Sequence, residues 1–500
     1  MPHATPPSLP LAAVDMGSNS FRLELGQMVH GRYRRLDYLK ETVRLGAGLD
    51  AAGMLTDEAV SRGLDCLRRF ARRLGDVGGD RLRAVATQTL REARNRNAFL
   101  LRAQEALGHP IEVISGREEA RLIYAGVAHL QPGERPRLVV DIGGRSTELI
   151  LGQARQVQVA ESFAVGSVSL SMRFFDDGRL DAAAFRAAQV AAGAEFEEAL
   201  KPFAREHWRD ALGSSGTAGA VSQILQAAGQ TDGSITPDGL RWCIARCIEA
   251  GQVDRLELPG LKADRKPVLA GGLAILYTLA TLFDIRTLRP AKGALRQGVI
   301  VDLHHRLQAL RRTHPEDLRD ETVRELQRRF AVDVQQARQV AARALGLFEA
   351  ARPDAAVELK RELAWAAALH EIGLMVSHHD HHRHSAYLLA HVDAPGFSQS
   401  QQRRIGEMVL GQRGGLRKIE AALAQEDFAW QVLCLRLAAL ECHARDSTAE
   451  PELLLRRRGH DALLHFGARW AELHPRTTFL LAEEAEAWLR SGPLRLVLPG

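Results

Sequence analysis

Two loops of one form carry the chemistry of this sequence. Val14-Asp15-Met16-Gly17-Ser18-Asn19-Ser20 and Val140-Asp141-Ile142-Gly143-Gly144-Arg145-Ser146-Thr147 each join an apolar strand to the next through Asp-x-Gly and small polar residues. In such a loop glycine frees backbone N–H groups, hydroxyls donate to phosphate oxygens, and the carboxylate can hold a divalent cation. One loop alone reads as an ordinary hairpin turn with a left-handed Gly17. Two, at matching places of a duplicated fold, would face each other across a cleft and clamp a polyanion from both sides. In Ser115-Gly116-Arg117-Glu118-Glu119-Ala120-Arg121 two carboxylates stand at a helix N-terminus just after a strand. The helix dipole favours acids there in any protein, and a base that takes a proton from water can sit there too. Gly213-Ser214-Ser215-Gly216-Thr217 supplies a third turn of small residues, which reads equally as a helix start.

These loops need strands to hold them. Leu11 to Asp15 is a short apolar run, Phe21 to Val29 and Arg32 to Val43 read as strands, and Gly31 marks the hairpin turn between them. Thr56 predicts an N-cap for a helix through Arg73, with Ala59, Gly63, Leu67 and Phe70 at helical spacing. A strand at Leu82 to Thr87, a helix from about Phe99, a strand at Ile111 to Ile114 and a helix from about Arg117 complete an α/β unit. The pattern restarts with strands at Arg137 to Asp141, Thr147 to Leu151 and about Gln156 to Ser162, so a whole α/β half is duplicated. Beyond about Leu303 strand signals stop, and helical periodicity runs from Pro315 through Phe348 and from Ala355 through Leu369. After about Ala449, the basic run Arg456 to Arg458 and apolar pieces at Phe479 to Leu481 and Leu494 to Leu498 predict a small α/β terminal domain.

At 500 residues, 46% hydrophobic and 25% charged, the chain has the balance of a folded protein of several domains, which excludes disorder as its main state. Its apolar runs fall short of the roughly 18 residues of a membrane span. Met1 to Pro10 lacks the basic start and apolar core of a secretory signal and reads as a loose tail, so the expected location is the cytoplasm. Five scattered cysteines, Cys66, Cys243, Cys247, Cys434 and Cys442, give neither a disulfide framework nor paired zinc knuckles. The net charge of +5 is carried mostly by arginine, which suits phosphate. Aromatic content of 5% offers no stacking platform for nucleic acid. There is no P-loop and no Gly-x-Ser-x-Gly elbow, and Gly46-Ala47-Gly48 lacks the third glycine of a dinucleotide loop.

The chain resembles the exopolyphosphatase and guanosine pentaphosphate phosphohydrolase family, within the superfold of actin, the heat-shock chaperone ATPases and the sugar kinases. The resemblance rests on both Asp-x-Gly loops, Ala86-Thr87-Gln88-Thr89-Leu90-Arg91, Ile114 through Arg121, Asp141 through Glu148, Gly213 through Thr217, and Gly293-Ala294-Leu295-Arg296-Gln297-Gly298. It implies duplicated actin-like, ribonuclease H-like α/β halves around a cleft (1–133 and 134–304). An all-α, degenerate HD-type domain (305–448) and a small C-terminal α/β domain (449–500) then follow. It implies Glu119 as general base and Asp141 and Glu148 as ligands of a catalytic Mg²⁺, with Asp15 contributing through water. A monovalent cation such as K⁺ is compatible with it. Gly17, Ser18, Asn19, Ser20, Gly143, Gly144, Ser146, Thr147, Ser215, Gly216 and Thr217 would hold phosphates, as would Arg91 and Arg265. Arg145 departs from the small residue usual there, and is either strained or an added phosphate cation.

The activity so implied is hydrolysis of a phosphoanhydride: release of terminal orthophosphate from inorganic polyphosphate or, as the alternative, 5′-phosphate removal from guanosine pentaphosphate. Non-catalytic sensing of either compound is the reading from a different class. The family also implies a homodimer. Leu369-His370-Glu371-Ile372-Gly373-Leu374, followed by His378, His379, His381, His382 and His384, resembles the helical His-Asp metal phosphohydrolase domain. Glu371 and Gln412 stand where that domain has metal ligands, so a scaffold role is expected rather than a second metal centre. Arg403, Arg404, Arg413, Arg417, Lys418 and Arg456 to Arg458 are either solvated faces or a track for a long polyanion.

Overall fold

The computed structural model describes residues 9–75, 77–311, 317–445 and 453–499. The tail up to Ser8, the Pro315 helix start and the 449 boundary lie outside these residues. Two compact units divide the chain, Met1–Pro315 and Glu316–Gly500.

The first unit opens with strands β1 (Leu11–Met16), β2 (Phe21–Val29) and β3 (Arg32–Glu41), then helix α1 (Asp57–Leu74) and strand β4 (Leu82–Ala86). His30 and Gly31 both take positive φ (49° and 74°), the two-residue turn that matches the twist of a hairpin. Thr56 caps α1 by accepting the Ala59 N–H. A short helix α2 (Gln88–Glu92), absent from the sequence reading, precedes α3 (Arg96–Leu107), β5 (Ile111–Val113) and α4 (Gly116–Leu130). The five strands form one sheet in the order β3-β2-β1-β4-β5, with β1 antiparallel to β2 and parallel to β4.

The second half repeats this plan. Strands β6 (Arg137–Ile142), β7 (Thr147–Gln153) and β8 (Gln156–Phe163) form a meander, followed by helices α5 (Ser167–Phe174) and α6 (Ala182–Phe196). Strand β9 (Asp210–Ser214), helices α7 (Ser215–Ala227), α8 (Pro237–Ala250) and α9 (Lys266–Leu282), strand β10 (Arg289–Pro290) and helix α10 (Leu295–Arg311) complete it. The sheet order β10-β9-β6-β7-β8 is the first sheet's order read from the other edge. The two sheets are therefore the duplicated α/β halves of an actin-like fold. Each has an apolar core, and a further cluster, including Ala13, Tyr124, Ile150, Leu212 and Val299, joins them. Within it α4 and α10 meet so closely that a Cβ at Gly298 would lie 1.7 Å from the Leu122 carbonyl oxygen.

The second unit is largely helical: α11 (Leu318–Arg329), α12 (Val334–Ala351), α13 (Val357–Ala368), α14 (His381–His391), α15 (Gln399–Gly411), α16 (Glu420–Leu423) and α17 (Glu426–Glu441). The run expected to end at Phe348 is two helices. Ala331 breaks it with a φ of 50°, and Asp333 caps α12 by accepting from the N–H groups of Gln335 and Gln336. Strands β11 (Leu454–Arg458) and β12 (Asp461–His465), helices α18 (Ala468–Leu473) and α19 (Pro475–Ser491) and strand β13 (Arg495–Val497) finish the chain. Phe479 to Leu481 lies inside α19, and Leu481, Trp488 and Leu455 share one core with Trp430 and Phe428. Among the described residues no helix is long and apolar enough to cross a membrane.

Candidate active site

A cavity of about 70 Å³ lies in the first unit, where both Asp-x-Gly loops, the start of α4, the start of α7 and the start of α10 converge. By volume it holds roughly five water positions, about the size of a phosphoryl group.

Strand register decides what faces it. Asp15 pairs with Arg22 across β1–β2, and Asp141 pairs with Glu148 across β6–β7. The loops that follow touch one another: a Cβ at Gly144 would lie 3.0 Å from that of Ser18. Gly17 has no left-handed φ, so what requires glycine is space, since a Cβ there would sit 3.2 Å from the Ser20 carbonyl oxygen. In the second loop the Gly143 N–H donates to the Ser146 carbonyl (2.9 Å), and the Ser167 and Val168 N–H groups tie the loop to the start of α5. Ser215 is held at a φ of 69°, an unusual conformation for a side-chain-bearing residue, and its hydroxyl donates to the Ile142 carbonyl (2.9 Å).

The α4 start separates the two glutamates. Ser115 caps the helix by accepting the Glu118 N–H (3.2 Å). Glu118 turns away, into ion pairs with Arg121 (2.7 Å) and Arg83 (3.7 Å). Glu119, 7% exposed, lines the cavity and accepts from Arg91 Nη1 (2.9 Å). Burial pushes the Glu119 carboxyl up to about 7 against the pull of Arg91, with Asp141 and Asp15 pushing the same way. Burial also raises Asp141, which Ser214 and Ser215 draw back. It raises Glu148 well above the usual carboxylate range, helped by the charges of Glu119 and Asp141.

Asp15, Gly17, Ser18, Asn19, Ser20, Glu119, Asp141, Gly143, Gly144, Ser146, Ser215, Gly216, Thr217 and Arg265 line this cavity together. Four residues singled out in the sequence stand behind it. Arg91 reaches the site through Glu119, and its Nη2 is buried without a partner. Glu148 accepts from the Ser162 hydroxyl (2.8 Å), and the Thr147 hydroxyl donates to the Val165 carbonyl (2.6 Å). Arg145 is neither strained nor on the cavity wall. Its φ is not left-handed, and its guanidinium pairs with Glu92 (2.6 Å) and donates to the Gly46 carbonyl (3.2 Å). Arg22 and Arg296, which no sequence argument selected, do line the cavity, with Arg296 3.5 Å from Asp15. Both were readable afterwards: Arg22 from its register with Asp15, Arg296 from its place in Gly293 to Gly298.

A hard divalent cation suits the second half's carboxylates. Asp141 and Glu148, with Glu119 of the first half, are three buried acids that repel one another, and the unpartnered Ser20 hydroxyl and Arg91 Nη2 suit a phosphate oxygen. Among the described residues no three His, Cys, Asp or Glu side chains already converge as a metal cage.

The second unit has a cavity of about 660 Å³ that includes His370, Glu371, His378, His381 and Gln412 in its walls. Gln412 donates to the His370 carbonyl (2.7 Å), so this pair holds the helices together. Several of that unit's arginines are spent on carboxylates: Arg404 on Glu362 (2.8 Å), Arg458 on Asp461 (3.3 Å), and Arg457 on Glu426.

Comparison with known proteins bears on the fold and the family. A crystal structure of an exopolyphosphatase-like protein is 26% identical, with a TM-score of 0.54 over 60% of this chain and 99% of that one. An exopolyphosphatase from Cytophaga hutchinsonii is 24% identical (TM-score 0.52, 58% of this chain and 96% of that one). The PPX-GPPA enzyme of Aquifex aeolicus is 23% identical (TM-score 0.50, 59% and 99%). The model of the Ppx/GppA phosphatase family matches residues 27–307, and that of Ppx/GppA phosphatase domain III matches residues 318–485. With both units matched, the chain belongs to the Ppx/GppA phosphatase family.

Proposed function

We propose that the protein is an exopolyphosphatase, releasing orthophosphate from the end of inorganic polyphosphate by attack of water. The observation that carries this reading is Glu119, a buried carboxylate oriented by Arg91 at the wall of a cavity of phosphoryl size between two Asp-x-Gly loops. Glu119 takes the proton of the attacking water. Arg91 fixes the carboxylate, and the loop hydroxyls of Ser18, Ser20 and Ser146 hold the terminal phosphate oxygens. Arg22, Arg265 and Arg296 offset the charge on the chain side. Mg²⁺ held by Asp141 and Glu148, with Asp15 reached through water, would offset charge on the phosphate oxygens.

In this reading the second unit serves as an HD-like scaffold, and the protein works as a homodimer in the cytoplasm. The test is orthophosphate release with Mg²⁺ from long-chain polyphosphate and from guanosine pentaphosphate in parallel. Release mainly from the polymer supports the reading. Release mainly from the nucleotide replaces it with the alarmone phosphohydrolase, and release from neither leaves a sensor.

A further inference from the structure

The strands that lead into the catalytic loops have a second end. Asp141 in β6 and Ser215, just past β9, line the catalytic cavity, whereas Arg137 and Asp210 open the same two strands. Four residue steps along β6 separate its two ends, roughly 13 Å. Helix α4 runs from Glu119 at the cavity to its C-cap Gln131, a rise of roughly 18 Å. At that far end Gln131, Arg137 and Asp210 belong to the wall of another cavity, of about 370 Å³. Among the described residues it shares no wall residue with the catalytic one.

Five arginines line it: Arg137, Arg205, Arg209, Arg286 and Arg289. Asp210 is its one carboxylate among the described residues, and although it stands opposite Arg137 in the strand register, no ion pair joins the two. Arg137 is only 4% exposed, and its guanidinium meets neutral groups: the carbonyls of Gln131 (2.6 Å) and Ala154 (3.1 Å) and the Tyr124 hydroxyl (3.4 Å). Arg205 lies over the Trp208 ring (4.2 Å) and donates to the Trp208 carbonyl (2.7 Å). Arg209 and Arg289 are exposed and form no ion pair among the described residues, and Arg289 acts on Asp232 from longer range. Arg286 has Asp284 at 3.6 Å, an exposed pair that neutralises little. A buried cation without a carboxylate is costly unless an anion completes it, and four more guanidiniums around it concentrate such anions.

The wall also selects among anions. Guanidinium forks match phosphate oxygens two at a time. By volume the cavity holds roughly 25 water positions, several times what one phosphate fills. Trp208 is 3% exposed beneath Arg205, so it gives a nucleobase no face to stack on. With Asp210 as its one carboxylate and no histidine or cysteine in its wall among the described residues, the cavity is equipped to bind and not to cleave.

We propose that this cavity is a second oxyanion site, remote from the catalytic one, for a small ligand bearing two or more phosphate groups. Its occupant lies too far from Glu119 to be hydrolysed and reaches it only through α4, β6 and β9, which makes the ligand an effector and not a substrate. The inference does not depend on the hydrolysis proposed above.

The test is calorimetric binding of pyrophosphate and of fructose bisphosphate to the full-length protein without divalent cation. Wild type is compared with Arg209→Gln/Arg289→Gln and with Arg22→Gln/Arg265→Gln, which strips cations from the catalytic cavity. Arg72→Gln/Arg102→Gln removes the same charge from exposed positions elsewhere. The Arg209/Arg289 variant should lose about ten-fold in affinity at one site, with a shallower salt dependence, while the catalytic-cavity variant keeps that site within about two-fold. Tighter binding of pyrophosphate assigns an inorganic ligand and tighter binding of the sugar an organic one, and either supports the site. No loss, the same loss in the exposed control, or disappearance of all binding in the catalytic-cavity variant would overturn it. A loss confined to long-chain polyphosphate or to an oligothymidylate would overturn it too, in favour of a polymer track or a nucleic-acid surface.

Discussion

Glu148 stands directly opposite Asp141 in the β6–β7 ladder, and both are buried. At the equivalent place in the other half Arg22 faces Asp15, 3.3 Å away. Like charges opposite one another on neighbouring strands destabilise a sheet, whereas an ion pair supports it. The duplicated halves are thus electrically unequal: one neutralises itself, and the other has a charge deficit that a cation can fill.

That inequality sets a pH dependence. A carboxyl whose folded pKa is raised supports folding while protonated, so its contribution is complete below the unfolded value and is lost as pH rises through the folded one. For Glu119 this window runs from 4.5 to about 7, and Glu148 and Asp141 shift in the same direction. Mg²⁺ is therefore expected to raise the thermal midpoint clearly at about pH 7.5 and little at about pH 5. Equal shifts at both pH values would reject the assignment. In metal-free buffer at the higher pH, Glu148→Gln should melt roughly 2 °C above wild type.

Glu119→Gln keeps the shape and the Arg91 contact but cannot accept a proton. The expected loss in kcat for phosphate release is about 10²- to 10⁴-fold, with polyphosphate binding retained. A variant within a factor of about three of wild type would remove Glu119 from the base role.

Asp302 holds three guanidiniums: Arg83 (2.8 Å), Arg121 (2.7 Å) and Arg306 (2.7 Å). Although burial opposes it, these arginines, Arg306 foremost, hold the Asp302 carboxyl far below its usual range. The sign is opposite to that of Glu119: stability is present above the unfolded value of 3.8 and is lost as pH falls below it. Asp302→Asn removes the carboxylate that the three guanidiniums share, while Glu118 still pairs with Arg83 and Arg121, and should cost about 3 kcal/mol in urea unfolding. Its stability should also fall less steeply on acidification than that of wild type.

All five cysteines are buried, and burial pushes every thiol up, Cys243 and Cys247 to about 12 and Cys442 to about 11. A thiol reagent at neutral pH should label none in the native protein and all five in denaturant. Rapid native labelling of any one would show that its surroundings open.

Much of the first unit was legible because its signals are local. Alternation placed the β2–β3 hairpin, Thr56 placed α1, and the repeated Asp-x-Gly loops announced the duplication. What escaped depends on pairing. Arg22 became a site residue through its register with Asp15, and Arg145 turned toward Glu92, a partner on the other half. Glu118 and Glu119 are equivalent on helix-dipole grounds, and only the packing of Arg83 and Arg121 draws the first away. Helix α2 is a single short turn, too brief for periodicity to show. The Pro315 to Phe348 run hid its break because Ala331, a strong helix former, occupies the left-handed position.

The near-contact of Gly298 with the Leu122 carbonyl has a mechanical meaning. Side chains normally separate two helices and let them slide, but here backbone rests on backbone. Glu119 lies one turn before Leu122, and Arg296 lies just before Gly298, so the proton acceptor and a phosphate-side arginine are fastened to the two arms of one rigid caliper.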